Sequence, residues 1–319
     1  MSITRYLLAA ATWLAAMQSA PALAFSDWTF VSVNGSDTNS CVITAPCRSF
    51  QGAYNQTSPG GTIVVLTAGG YGAVKIIHSI SIINDGVGTA AIFAPDPTHT
   101  LGAAITIAAG PTETVNLRGI TIDGDGALSN HNQALNGIIV SSVDTLNIEN
   151  CIFKNLVQFG LAVLPSAART ISVSNTHFSG IGDVGYAVFL DNGTGSNPLQ
   201  AVFDHVEIDN SGGFLVISAG PADVTVTDSR SVNNTGGFQV QANTAAPVNL
   251  TLVRSTSANN TWGVAARGAA ATLRLSQSTI TGNQHGWLTQ SGGSVLSYGD
   301  NVIDSNLADQ AAPPSASKK

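Results

Sequence analysis

The sequence predicts an all-β fold, a right-handed single-stranded parallel β-helix with three short strands per coil, and three observations carry that expectation. First, glycine recurs at Gly137, Gly160, Gly185, Gly213, Gly237, Gly263 and Gly286, with spacings of 23, 25, 28, 24, 26 and 23 residues. An even beat in this range is the mark of a solenoid. Second, each glycine is followed by a large apolar residue (Ile138, Leu161, Tyr186, Phe214, Phe238, Val264, Trp287), and valine dominates two positions later (Val140, Val163, Val188, Val216, Val240). Alternation of that kind describes a strand with one buried face, and the repeated column stacks those faces. Third, a second alternating strand ends on a polar residue in every coil (Asn150, Asn175, Asp228, Arg254, Gln277), and an asparagine closes the coil (Asn210, Asn234, Asn260, Asn283, Asn306). Asparagine and glycine suit such corners because both accept positive φ. No window shows a period of 3.6, so helical solenoids are excluded.

Taken in order, residues 1–24 read as a signal peptide: Arg5, an apolar run from Tyr6 to Met17, and the small-residue site Ala22-Leu23-Ala24. The chain is therefore expected to be exported, to the periplasm or outside the cell. Residues 25–61 read as an N-terminal capping segment. Within it Cys41 and Cys47 flank a polar loop, and an oxidising compartment favours a disulfide between them. The β-helix is expected over 62–306. Upstream of the clear repeats, the runs GGTIVVL, VKIIHSISII, AAITIAA and TVNLRGITI supply its first coils. Residues 307–319 are poor in apolar side chains and are expected to be disordered.

The formal net charge is −7, and removing Arg5 with the leader makes the mature chain more acidic still. That balance excludes the basic stripe of a nucleic-acid-binding surface, and no segment after the leader reads as a membrane span. Charged residues make up only 10% of the chain, so Ser, Thr, Asn and Gly do the solvating. Cys151 has no sequence partner and reads as a small buried hydrophobe. No Cys/His spacing matches a zinc site, Gly69-Gly70-Tyr71-Gly72 has no helix after it to make a phosphate loop, and no serine nucleophile elbow is present.

With the Gly-led strand, the Asp228-Ser229 and Gln277-Ser278 corners and the closing Asn motifs in hand, the chain resembles the right-handed parallel β-helix repeat proteins of the pectin lyase-like superfamily. The run from Val31 to Val74 is similar to the entry segment of secreted bacterial members whose function is uncharacterised. The resemblance implies the fold and an outward-facing groove on one sheet. It implies no single activity, since the superfamily holds lyases, hydrolases, epimerases and adhesins.

On the outer face of the glycine-led sheet, two positions after each glycine come Ile139, Ala162, Ala187, Leu215, Gln239, Ala265 and Leu288; four after come Ser141, Leu164, Phe189, Ile217, Gln241, Arg267 and Gln290. The amide-rich half (Gln239, Gln241, Arg267, Gln290) is the expected carbohydrate-binding ladder. Leu164, Phe189, Leu215 and Ile217 read as an exposed apolar patch, suited to a homo-oligomer contact or to sugar rings. A hydrolase wants two nearby carboxyl groups and a lyase a base near a charge neutraliser; this face offers only Asp191 and Arg267, three coils apart. The catalytic candidates lie elsewhere: His205, Glu207 and Asp209, which strict alternation would put on one face, and His177 with His205 at adjacent corners as a metal or acid/base pair. Asp123 and Asp125, with Asn130 and Asn132, offer oxygen ligands for Ca²⁺; no other cofactor is expected. The reading is a secreted module binding a polysaccharide or cell-envelope glycan without cleaving it, with a pectate-lyase-like lyase or hydrolase of acidic polysaccharide as the alternative.

Overall fold

A computed structural model of the chain describes residues 25–93, 102–124, 136–165, 168–182, 185–308 and 311–317. The expected signal peptide lies outside the described residues. What the alternation dictates is what forms: a parallel β-solenoid of about seven turns, with a single short α-helix, Phe50–Tyr54, among the described residues. Each coil contributes a glycine-led strand, a middle strand and a short third strand. The glycine-led and middle sheets merge through the long strands Ala103–Arg118 and Asn136–Glu149, and the third sheet stacks separately. Neighbouring coils pair in parallel, as Gly236–Ala242 does with Phe214–Ser218 below and Trp262–Arg267 above. No helix of the described residues is long and apolar enough to cross a membrane.

The interior is built of columns. Ile138, Leu161, Val188, Phe214, Phe238, Val264 and Trp287 align through the glycine-led sheet, and all but Trp287 are buried. The alignment corrects one coil. Val188, not Tyr186, occupies the first interior position, so the residue equivalent to the coil-opening glycine is Ala187 rather than Gly185. Gly185 is a glycine for another reason: a Cβ there would collide with the backbone of Gln158 in the preceding coil. In the middle sheet, pairs such as Leu250/Leu252 and Leu273/Leu275 have no exposed area. Phenylalanines stack along the axis, Phe153 on Phe178 at 4.6 Å and Phe203 against Phe214 at 4.9 Å.

Two corners turn each coil, and both use left-handed residues. The first column is Asn150, Asn175, His205, Asp228, Arg254 and Gln277, with φ between 47° and 53°. The second includes Asn155, Asn210, Asn233 and Asn259. The residue after the second corner builds a buried ladder: the Asn234, Asn260 and Asn283 backbone N–H groups donate to the Oδ1 atoms of Asn260, Asn283 and Asn306. Asn210 stands outside this ladder, one residue early, and Ser211 takes the rung by donating its N–H to Asn234 Oδ1. A hydroxyl ladder, Ser229, Ser255 and Ser278, does the same at the first corner.

The two ends are closed by chain. Ser26–Val31 pairs in parallel with Thr57–Val65, so the N-terminal segment adds a rung as well as a cap. Cys41 and Cys47 are disulfide-bonded with Cα atoms 4.7 Å apart, and both are buried. Asp37 accepts the N–H groups of Arg48 and Ser49 and so fixes the entry to the helix, where Phe50 packs on Tyr71. At the other end, residues 311–317 do not match the expected disorder. Trp287 Nε1 donates to the Ala311 carbonyl, Ser297 exchanges backbone bonds with the Pro314 carbonyl and the Ala316 N–H, and Pro313 is buried. Backbone pairing with an unpaired strand edge, to which apolar content is blind, holds this tail.

Candidate functional site

The outer face of the glycine-led sheet follows from the corrected register. One outward column reads Ile139, Ala162, Phe189, Leu215, Gln239, Ala265 and Leu288. The next contains Ile217, Gln241, Arg267 and Gln290, and Asp191 follows Leu190, the register partner of Val216, which places it beside Ile217. The apolar half is not the bare patch expected. Leu215 is buried, Leu164, Phe189 and Ile217 are partly so, and Phe159 packs over Phe189 with ring centroids 5.2 Å apart. The protein's own aromatic side chains cover much of this surface. Asp191 is partly buried there, which pushes its carboxyl above the ordinary value, and the Gly193 N–H bonds its Oδ1 at 2.6 Å.

The amide half is where the face becomes concave. A depression of about 320 Å³ is lined by Tyr186, Gly212, Leu215, Thr235, Gln239, Gln241, Trp262 and Arg267. A second, of about 410 Å³, is lined by Gln241, Asn243, Arg267, Gln290 and their neighbours. The two share Gln241 and Arg267, so all four residues of the expected ladder line one confluent surface. Arg267 Nη1 donates to Gln239 Oε1 at 2.6 Å, and Gln241 Nε2 to Asn243 Oδ1 at 2.9 Å. Arg118, Arg230 and Arg254 each hold a carboxylate, whereas no carboxylate of the described residues pairs with Arg267. Its remaining donors are available in a cleft of an acidic protein. Indexing each strand from its glycine put Tyr186, which follows Gly185, among the inward residues and passed over Trp262, which precedes Gly263. The signal was present one position earlier, where an aromatic precedes Ala187 and Gly263.

The catalytic candidates do not assemble. Alternation breaks at His205, a left-handed corner with φ 52°, so His205 leaves the face that Glu207 and Asp209 share on the third sheet. Glu207 pairs with Arg230 at 3.0 Å. Asp209 accepts from Ser179 at 2.8 Å and sits 2.5 Å from His177 Nε2. Burial would raise the Asp209 carboxyl, but hydrogen bonds from His177 and Ser179, with the His177 charge, hold it below its ordinary value. His177 and His205 are not adjacent corners either: His177 is in register with Glu207, and His205 follows Asn175 in the corner column.

Asp204, His205 and Asp228 bring ligand atoms within 4.8 Å of one another. Both carboxylates already accept from protein donors. Arg254 grips Asp228 with two hydrogen bonds of 2.8 and 2.6 Å and so lowers its pKa, and Thr227, then His205, does the same for Asp204. Of the Ca²⁺ candidates, Asp123 takes Lys154 Nζ at 2.9 Å and Asn155 Nδ2 at 2.9 Å, the contacts of a structural ion pair. Asp125 lies outside the described residues, as do Asn130 and Asn132. Cys151 is a buried thiol whose pKa burial pushes up to about 11, as a packing residue should show.

No known protein-family profile matches the chain, and no curated protein sequence is significantly similar to it. Among solved structures it is similar to a pectate lyase, at 16% identity and a TM-score of 0.59, over 92% of this chain and 82% of that one. It is also similar to a rhamnogalacturonan lyase, at 11% identity and a TM-score of 0.53, over 84% and 75%. What these likenesses establish is the fold: the chain is a right-handed parallel β-helix of the pectate lyase-like type.

Proposed function

We propose that this protein is an exported module that binds a polysaccharide or cell-envelope glycan on the glycine-led face and does not cleave it. The observation that supports this most is the confluent depression over Gln239, Gln241, Arg267 and Gln290. Amides and a guanidinium that no carboxylate of the described residues holds are donors suited to sugar hydroxyls and ring oxygens, and Tyr186 and Trp262 add apolar ring faces beside them. A few convergent polar groups beside aromatic ring faces suit a ligand site. Among the described residues no carboxylate or imidazole lines either depression, which favours binding over hydrolysis by a carboxyl pair. The Cys41–Cys47 disulfide fits an oxidising compartment.

The test is a glycan array followed by titration calorimetry on the mature chain. Arg267→Ala combined with Gln241→Ala should abolish the signal while the circular dichroism spectrum stays unchanged. Release of reducing ends or unsaturated uronates by the wild type, lost on Glu207→Ala with Asp209→Ala, would establish the lyase or hydrolase alternative instead.

A further inference from the structure

One outward column of the glycine-led sheet is a row of rings with a break in it. Through the strand pairings it holds Asn136, Phe159 and Tyr186 on one side and Gly236, Trp262 and His285 on the other, with Gly212 and Gly213, just ahead of the strand Phe214–Ser218, at the level between them. Trp262 stacks on His285 with centroids 4.3 Å apart and planes 14° from parallel. His285 is the next rung along the axis, so the opposite face of the indole looks back over Gly236. Tyr186 and Trp262 stand three rungs apart, about 14 Å at the spacing of parallel strands, and the two levels between them carry no side chain.

One of these levels is filled from the side. The Gln239 amide folds over Gly236, where it occupies the space a Cβ would need. Gln239 is only 5% exposed, and its Oε1 accepts from Arg267. That bond fixes the amide's orientation, and no partner among the described residues takes Nε2. Nε2 is not sealed from solvent, so an acceptor on a ligand in the depression can take it. The level over Gly212 is left open. Tyr186 bounds it on one side and the Gln239 amide on the other, Gly185 and Thr235 line the corner side, and it meets the second depression across Gln241 and Arg267.

We propose that this slot seats the terminal ring of the glycan, so that the site reads chain ends rather than internal stretches. The inference rests on the binding function proposed above. A flat pyranose face presents polarised C–H bonds to an aromatic ring, whose face is negative, and a ring or hydroxyl oxygen of that sugar accepts Gln239 Nε2. Among the described residues, walls at both axial ends direct the chain over Gln241 and Arg267 into the second depression. An internal residue needs two exits, and this slot offers it one.

The experiment titrates the mature chain with short oligosaccharides and with the long polymer of whichever array glycan binds. Stoichiometry is counted once per chain end and once per sugar residue. One protein per chain end at every length is expected. Gly236→Ala, whose methyl meets only the Gln239 amide and drives it into the open level, should weaken binding about tenfold. Trp262→Ala should weaken it similarly and Trp262→Phe restore it, with unchanged melting in all three. Gly212 is unsuitable as a probe, because a Cβ there strikes the Gly185 backbone. Binding that scales with polymer mass, or that ignores Gly236→Ala and Trp262→Ala while Arg267→Ala with Gln241→Ala still abolishes it, overturns the slot and leaves the binding function standing. A wild type that binds no glycan overturns both.

Discussion

Asn260 offers the sharpest test of how the coils are held together. Its side chain is 2% exposed and ties its own rung to the preceding one. Oδ1 accepts the Asn234 N–H at 2.8 Å, and Nδ2 donates to the Ser231 carbonyl and to Ser257 Oγ, both at 3.0 Å. Replacing it with alanine leaves the Asn234 N–H buried without an acceptor, at a cost of about 1–3 kcal/mol, and removes two further bonds worth about 1 kcal/mol each. The sum is about 3–5 kcal/mol, a large part of the stability of an ordinary domain. No compensating backbone relief arises, since the left-handed residue of that corner is Asn259, not Asn260. Urea unfolding followed by far-ultraviolet circular dichroism reads the change as a lowered midpoint. The control is Asn249→Ala, whose side chain bonds Asp223 and Arg274 on the outer face and should cost about 1 kcal/mol or less. If Asn260→Ala falls within about 1 kcal/mol of wild type, the buried ladder is not what pins successive coils.

Other outcomes follow from the same contacts. Val216 is fully buried mid-solenoid, so Val216→Asp should yield no folded protein, because an unpaired carboxylate there costs several kcal/mol; soluble expression with native circular dichroism would contradict this. Reducing the Cys41–Cys47 disulfide should destabilise the chain by about 2 kcal/mol, as the chain-entropy estimate gives for so short a loop, measured as the melting shift with and without reductant. Acid sensitivity should come from carboxyls such as Asp204 and Asp209, whose pKa values the fold lowers. Their stabilisation is complete above the unfolded-state value and is lost as pH falls through the lower folded-state value. Stability should therefore fall below about pH 4, and less steeply in Asp209→Asn; an unchanged slope would remove Asp209 from this role.

The solenoid was legible because its core is written as columns: one residue in two faces inward, and Val140, Val163 and Val240 announce themselves by type. Register failed where a second cause also demands glycine. Gly185 answers a close backbone approach while Ala187 opens the coil, and no composition signal tells the two apart. Alternation likewise cannot see a corner, and the left-handed His205 separates itself from Glu207 and Asp209. Exposure was the least readable property. Gln239 stands on an outward position, yet its side chain is only 5% exposed and its Oε1 is held by Arg267. Of the candidate site, the amides and Arg267 were visible in sequence. The aromatic walls were not, because Gly185 indexes Tyr186 to the wrong face and Trp262 lies ahead of its glycine.

The most direct measurement is hydrogen–deuterium exchange of the mature chain with and without saturating glycan from the array. Protection confined to the strands Gly236–Ala242 and Trp262–Arg267 and to the segment around Tyr186 is the expected result. Protection centred on the third sheet, around Glu207 and Asp209, would place the ligand on the other face and contradict it.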